Sequence, residues 1–445
     1  MITLSPETCT FVFEIGESAE YLTSKLAQFR KDHDRFNPLV VLFEDRPHLS
    51  AAPAFIQNST VVRLKNWRDL PGIIPTRFLA YLPSKAPFSA ISAERMVLDD
   101  RSITPWIPVF HLSGTEGARL SLLEAGWIGP VDLLRTVRGS ETSLTLQSVE
   151  TLLENSGLSF QYQACPGGAA PSPVSGVAPK ISKTSSVLAI VPHFNCHGYL
   201  EQALRSLVEQ SRPLDGIVVV DDRSDVLPVD IVKKFKNVTL LRSSANVGPY
   251  RLIQSVMDQT GYDAYLFQDA DDWSAADRLE LLLGEAERTG AELIGSQEIL
   301  FFGDSICPNH YPLDVHGALA QGPSYAMLHP SSLVSRELVL RAGGYPTGLR
   351  FSGDLEFLNR AVHAGRLANL DAFAYFRRMR TGSLTLSPKT GLTSPARMEL
   401  HRLIRTRVWE NLKKVSAGLQ PDLTPLRSAE AASLEWVTGP RLRDA

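Results

Sequence analysis

The amino-acid sequence predicts an α/β protein, with a mainly parallel sheet covered on both faces by helices and a separate, smaller α/β domain ahead of it. Three observations predict it. Apolar strand-like runs alternate with single helical patterns from residue 187 onward, a stretch rich in Pro, Gly, Ser and Ala interrupts the chain before them, and two of the strand-like runs end in clustered carboxylates.

A chain of 445 residues is that of about two or three domains. The interruption, CPGGAAPSPVSGVAPKISKTSS, has almost no large apolar side chain and cannot bury a core. It divides the chain into an N-terminal domain at 1–164, a linker at 165–186, a second domain at 187–390, and a C-terminal helix and tail at 391–445. In the first part PLVVLFED and STVVRLKNW read as strands, and AEYLTSKLAQFRKDH and LTLQSVETLLENSG as amphipathic helices. No motif there carries chemistry. Glu44 and Asp45 follow a strand-like run in the manner of a solvated turn.

After the linker each element follows from its pattern. SSVLAIVPHF is a short apolar run of the length of a buried strand. GYLEQALRSLVEQS places Leu200, Ala203, Leu204, Leu207 and Val208 on one helical stripe. GIVVVDD is a second strand, VDIVKKFK a short helix and NVTLLRS a third strand. GPYRLIQSVMDQTG is a helix, DAYLFQDADD a fourth strand, AADRLELLLGEAERTG a helix, and AELIGSQEILFF a fifth strand. Strands alternating with single helices imply right-handed crossovers. Ligands of such sheets bind at the carboxyl ends of the strands. VVVDDRSD and LFQDADDW both place their acids there.

Composition narrows the function classes. A formal net charge of -3 gives no basic footprint for nucleic acid. Cys9, Cys165, Cys196 and Cys307 lie far apart without zinc-like spacing, and read as reduced thiols of a cytoplasmic protein. No run reaches the length of a membrane span, and the N-terminus lacks the pattern of a signal peptide. The expected location is the cytoplasm, with peripheral contact at the inner face of a membrane left open. The first strand–helix turn, PHFNCHG, has no GxGxxG, and no GxxxxGK[ST] occurs, against a dinucleotide dehydrogenase and a P-loop NTPase. The histidines at 193, 197, 310, 316 and 329 lack metal-ligand spacing. His329 reads more readily as a packed or surface residue than as one facing an acceptor.

The acids admit two readings each. Asp221, Asp222 and Ser224 suit a plain turn, or an acid that accepts a hydrogen bond from a base or ribose. Asp269, Asp271 and Asp272 repel one another unless something positive lies between them. They are either solvated or hold a hard divalent cation, for which one or two carboxylates plus phosphate oxygens are usual ligands.

The order VLAIVPHFNCHGYLEQALRSLVEQ, IVVVDDRSD, NVG and YLFQDADDW…DRL resembles the family-2 glycosyltransferases of the GT-A fold. SSLVSRELVLRAGGYP, FSGDLEFLNRA and YFRRMRTGSLT extend the resemblance over about residues 185–390. It implies a metal-dependent, inverting transferase that moves a sugar from a nucleoside-diphosphate donor, UDP-linked by expectation, to a glycan or lipid-linked hydroxyl. The setting implied is surface polysaccharide or glycoconjugate synthesis, and the cofactor Mn²⁺ or Mg²⁺. By the same resemblance Pro192 and Asn195 line the nucleotide pocket, Asp222 holds a uracil-like base, and Arg251 meets the diphosphate or nucleoside. Asp269 lies near the ribose and the metal, Asp271 is the direct ligand, and Asp272 supports them. Asp354 is the general base, with Glu356 as its alternative. Two departures stand out. Gly353 replaces the first acid of the family's pair, and Arg378 and Arg380 flank Met379 where relatives carry a His. These favour an alternative reading, a catalytically silent glycosyltransferase-like binding module. A phosphotransferase of the haloacid dehalogenase type is disfavoured because its Asp pair belongs on an early strand. Finally, SPARMELHRLIRTRVWENLKKV reads as an amphipathic helix with a basic face, packed on the domain or resting on an anionic membrane. The tail from Ser416 onward is expected to be loosely ordered.

Overall fold

The computed structural model describes residues 180–303 and 305–445, and before them only short segments and single positions between residues 2 and 166. The chain divides into two compact units, residues 1–167 with 303–308, and 168–302 with 309–445.

In the first unit the expected strands are present at Leu39–Phe43 and Thr60–Leu64. They run parallel to each other, and Cys9–Glu14 runs parallel to Leu39–Phe43 and to Phe78–Leu82. Trp127–Pro130 joins the other side of Phe78–Leu82 antiparallel. Phe11, Val12, Phe13, Leu79 and Ala80 are buried. The helices expected at 19–33 and 144–157 lie outside the described residues, save the buried, helical Val149. Glu44 and Asp45 lie outside them too.

The second unit follows the alternation written in its sequence. Its elements are β1 (Val187–His193), α1 (His197–Val208), β2 (Gly216–Asp221), α2 (Val229–Val232), β3 (Val238–Ser243), α3 (Pro249–Gln259), β4 (Ala264–Phe267), β5 (Trp273–Ser274), α4 (Arg278–Thr289), β6 (Leu293–Phe302), α5 (Val315–Ala320), β7 (Leu333–Ser335), α6 (Arg336–Arg341), α7 (Gly353–Ala361), β8 (Leu367–Arg378), α8 (Pro395–Ser416) and β9 (Leu434–Thr438). The sheet order is β8-β6-β7-β4-β1-β2-β3-β9. The core β4-β1-β2-β3 is parallel throughout. The short β7 enters antiparallel between β4 and β6, and β6 runs parallel to β8.

Because side chains alternate along a strand, β1 feeds both faces. Leu188 and Ile190 join one apolar cluster with Leu252, Ile253 and Val256 of α3 and Phe357 of α7. Val187, Ala189 and Val191 join the other, with Leu200, Leu204 and Leu207 of α1 and Leu279, Leu282 and Leu283 of α4. Each such leucine, fully buried, contributes about 1.5–3 kcal/mol. The stripe read from α1 is thus its buried face, although Val208 is only partly buried. Gly290 ends α4 in the left-handed conformation, accepting no Cβ penalty, and its N–H reaches the Ala286 carbonyl. Of the linker expected at 165–186, the last residues belong to this unit. Ile181 is fully buried, and the Ser186 hydroxyl donates to Asp263 at 2.8 Å. No helix among the described residues is long and apolar enough to cross a membrane.

The C-terminal tail is a correction to the sequence reading. Beyond α8 the chain returns to the sheet, and β9 pairs antiparallel with the outer edge of β3. Its strand pattern is faint because the edge is half solvated and none of its side chains is fully buried. Gly439 follows β9 with φ +95, and a Cβ there would lie 2.7 Å from the Thr239 Cα. Gly439→Ala should therefore lower the melting temperature and speed amide exchange across 434–438, both read against the parent protein.

Candidate functional site

The carboxyl ends of β1, β2 and β4 open onto one cavity of about 580 Å³ inside the second unit. Pro192, Asp222, Asp269, Asp271 and Asp354 line it together.

The first wall is built by the β1 and β2 ends. Their register pairs His193 with Asp221, and both side chains are buried. His193 Nε2 accepts the Cys196 N–H at 3.3 Å, which places the ring proton on Nδ1, 3.1 Å from Asp221. The backbone N–H of Ser224 also donates to Asp221 at 3.1 Å. Burial pushes the Asp221 carboxyl up, but these hydrogen bonds outweigh it and hold the carboxyl below its ordinary range. An Asp–His pair thus fixes the PHFNCHG turn without a glycine-rich loop. Asp222 accepts N–H bonds from Val247 at 2.7 Å and Gly248 at 2.9 Å, bracing the start of α3. Burial still raises its carboxyl above the usual value. Asn195 and Arg251 stand apart from the cavity lining. The Asn195 amide donates to Asp225, and Arg251 donates to the Glu430 carbonyl.

The second wall is the acidic cluster. Ligand oxygens of Asp269, Asp271 and Asp272 lie within 4.8 Å of one another. Each acid has a different surrounding. Asp272 is buried, and its two oxygens accept from the Tyr375 hydroxyl at 2.9 Å and the Arg378 N–H at 2.8 Å. Burial and then its two acidic neighbours push it well above the ordinary carboxylate range. Asp271 pairs with Arg380 at 2.6 Å. Asp269 has no protein donor on its carboxylate among the described residues. Depth within the protein, then the charge of Asp271, pushes it up to about 7. Its side chain opens to the cavity, where water relieves part of that desolvation. Arg278 underlies the cluster fully buried, donating to Gln268 at 3.0 Å, Ser274 at 2.8 Å, and the Phe267 and Pro330 carbonyls at 2.8 Å. Desolvation lowers it to about 10. Arg377, Arg378 and Arg380 come from β8 and the turn after it, and line the cavity beside the acids.

The third wall starts at α7. Ser352 takes a left-handed backbone (φ 56), and Asp354 falls in the first helical turn, where the helix dipole favours a negative charge. The Tyr250 hydroxyl donates to Asp354 at 3.0 Å. Glu356, the alternative base, is instead buried against Arg360 at 2.6 Å and accepts the Leu426 N–H at 2.9 Å. Both its oxygens are engaged away from the cavity. His329 stacks on Phe267 at 4.2 Å and meets the Tyr345 hydroxyl at 2.9 Å. Burial lowers it to about 4, so it is a neutral wall of the cavity.

Sequence reasoning missed Tyr250, Tyr375, Arg278 and Arg377. DRL and the alternation in FRRMR carried a signal for the arginines. The tyrosines gave none, because apolar helical and strand spacing reads as core.

Asp269 supplies a test. Its pKa in the folded protein lies above that of an unfolded aspartate, so the folded state holds more protons between pH 4 and 7. Stability from this group is present below about pH 4 and is lost as pH rises toward 7. Asp269→Asn should flatten that decline in melting temperature, measured from pH 4 to 7 in the absence of divalent cations.

An uncharacterized glycosyltransferase of Haemophilus influenzae is 30% identical over 95 residues, which is 20% of this chain and 38% of that protein. The chain thus spans well under half the length of that relative. Among solved structures, S. aureus TarS (residues 1-349, with UDP-GlcNAc) is 19% identical over 52% of this chain and 73% of its own, with a TM-score of 0.41. The mannosyltransferase PcManGT of Pyrobaculum calidifontis, with GDP-Man and Mn²⁺, is 18% identical over 56% of this chain and 68% of its own, with a TM-score of 0.37. The model described as Glycosyl transferase family 2 matches residues 188–305, the stretch from β1 through β6 that holds Asp222, Asp269 and Asp271. On that stretch the chain carries a glycosyl transferase family 2 domain.

Proposed function

We propose that this protein is a metal-dependent, inverting glycosyltransferase that uses a nucleoside-diphosphate sugar, UDP-linked by preference. The observation that carries the reading is the convergence of Asp222, Asp269, Asp271 and Asp354 on one cavity, three of them within the family-matched stretch. The residues fit a hard cation, since among the described residues Asp269 and Asp271 keep carboxylate oxygens without protein donors, whereas both of Asp272's are taken. Asp269 and Asp271 would hold Mn²⁺ or Mg²⁺, which as a Lewis acid supplies charge stabilisation to a departing phosphate.

The remaining roles belong to the chain. Asp222 sits at the nucleoside end beside Pro192, and Arg378 and Arg380 face the diphosphate. Asp354 takes the proton of the acceptor hydroxyl while its oxygen bonds to the anomeric carbon. The bond from that carbon to the diphosphate oxygen breaks, and its electron pair leaves with the diphosphate. One displacement from the opposite face inverts the centre. Both ion-paired oxygens of Glu356 argue for Asp354 as the base.

A lipid-linked acceptor is favoured by the surface beside the cavity. Leu384, Leu386 and Leu392 are exposed, and Leu384 and Leu392 also line the cavity mouth. Arg397 ties that loop to α8 through the carbonyls of Thr390 at 2.6 Å and Leu384 at 3.1 Å. On α8 an exposed stripe carries Met398, Arg402, Arg405, Trp409 and Lys413, the mixture of apolar and cationic groups that suits an anionic bilayer surface. The buried free thiol of Cys196 accords with a cytoplasmic-side location.

Two outcomes check the proposal. Calorimetry with UDP should show tighter binding when Mn²⁺ or Mg²⁺ is present, and Asp271→Ala should lose that difference together with ~100-fold or more in donor turnover. Parent-like binding and turnover would remove the metal assignment, while binding without turnover of any donor would support a silent module. In sedimentation with vesicles, binding should require anionic lipid, weaken with salt, and fall when Arg402, Arg405 and Lys413 are changed to Ala.

A further inference from the structure

Tyr250 and Gly353 meet at the carboxylate read above as the general base. Tyr250 is the second residue of α3, a helix anchored in the core by Leu252, Ile253 and Val256. Its hydroxyl donates to Asp354 Oδ1 at 3.0 Å. Its ring lies against the start of α7, where a Cβ on residue 353 would stand 2.6 Å from Cδ2 and 2.8 Å from Cγ and Cε2 of that ring. Gly353 has no left-handed backbone to account for the glycine, since its φ is not among the positive values. Contact, rather than conformation, demands it.

We propose that Tyr250 is the positioning residue for Asp354, and that residue 353 is glycine so that the tyrosine ring can seat against the helix start. The proposal rests on Asp354 being the base. With Oδ1 engaged by the hydroxyl, Oδ2 is the oxygen left for the acceptor. The ring blocks one side of the helix start, and this restrains the carboxylate's rotation. Effective geometry of this kind is worth orders of magnitude in rate when a proton must move in the transition state. The same helix begins at Gly248, whose N–H is held by Asp222. The nucleoside end of the cavity and the orienter of the base therefore share one rigid element. This gives the departure from the family's acidic pair a physical content. A hydroxyl from another helix engages Asp354 where a neighbouring acid is absent.

The test reads rate, pH profile and stability together. Tyr250→Phe keeps the ring and removes only the hydroxyl. With a panel of UDP-sugars and UDP release as the readout, kcat should fall about 10- to 100-fold with donor KM unchanged. Loss of a donor to the carboxylate raises its pKa, so the acid limb of the rate profile should move to higher pH. Around Asp354 the other groups are Tyr325, Tyr345 and Tyr311, all raised by burial, and His329 and His401, both lowered by burial. Asp269 acts on it across the cavity, and Arg397 lies beside Tyr325. All are common to parent and variant, so the limb is read as a difference. Gly353→Ala should lower both kcat and melting temperature, and in a double-mutant cycle its cost in melting temperature should shrink when Tyr250 is also changed to Ala, while kcat stays low. A Tyr250→Phe protein with the parent's kcat and acid limb would overturn the positioning role, as would a Gly353→Ala protein of parental stability. Asp354→Asn separates the two layers. If it turns over like the parent, the base reading falls and takes the proposal with it. If it is inactive while Tyr250→Phe is normal, only the proposal falls.

Discussion

Three carboxylates at the end of one strand govern this architecture. Two like charges 5 Å apart repel by about 3 kcal/mol even at an effective dielectric of 20, so Asp269, Asp271 and Asp272 cannot stand as equivalents. The fold makes them different. Asp272 is sunk among a tyrosine hydroxyl and a backbone N–H, where it ties β8 to the end of β4. Asp271 is balanced by Arg380. Asp269 is left facing the cavity, its carboxyl pushed up by depth and by the charge of Asp271. Beneath them Arg278 supplies positive charge while donating to neutral acceptors, bracing the turn from below. A buried guanidinium without a carboxylate partner is costly, and its place under the acids is what offsets that cost.

Much of this was legible in the residues. The parallel core could be read because β1 to β4 are continuous apolar runs, and the stripe of α1 because its leucines recur at helical spacing. The acids at the β2 and β4 ends were visible as interruptions of those runs. What could not be read were contacts between distant positions. Tyr250 and Asp354 are brought together only by the packing of α3 on α7, and Tyr375 reaches Asp272 only through β8. The β9 strand escaped notice because it lies on an edge, where pairing depends on backbone atoms and leaves side chains free to be polar. Asn195 and Arg251 show the converse. A motif position placed both near the nucleotide, and local partners, Asp225 and the Glu430 carbonyl, hold both away from the lining.

Loop backbone carries part of the design. The only non-glycine residues with positive φ among those described are Asn195, Arg223 and Ser352. They follow β1, follow β2 and precede α7, the three turns that shape the cavity. Left-handed backbone costs about 1–2 kcal/mol for an ordinary residue. Its confinement to these turns shows where the regular elements stop serving stability and begin to aim side chains.

The close seat of Gly353 against Tyr250 also constrains how such a site can change over descent. An acid at 353 beside the ring at 250 would be overpacked, at a cost typically of about 1–3 kcal/mol. Giving up the tyrosine first avoids that cost but gives up the hydroxyl at Asp354. Sterics therefore couple the two positions, so that neither residue changes without consequence for the other.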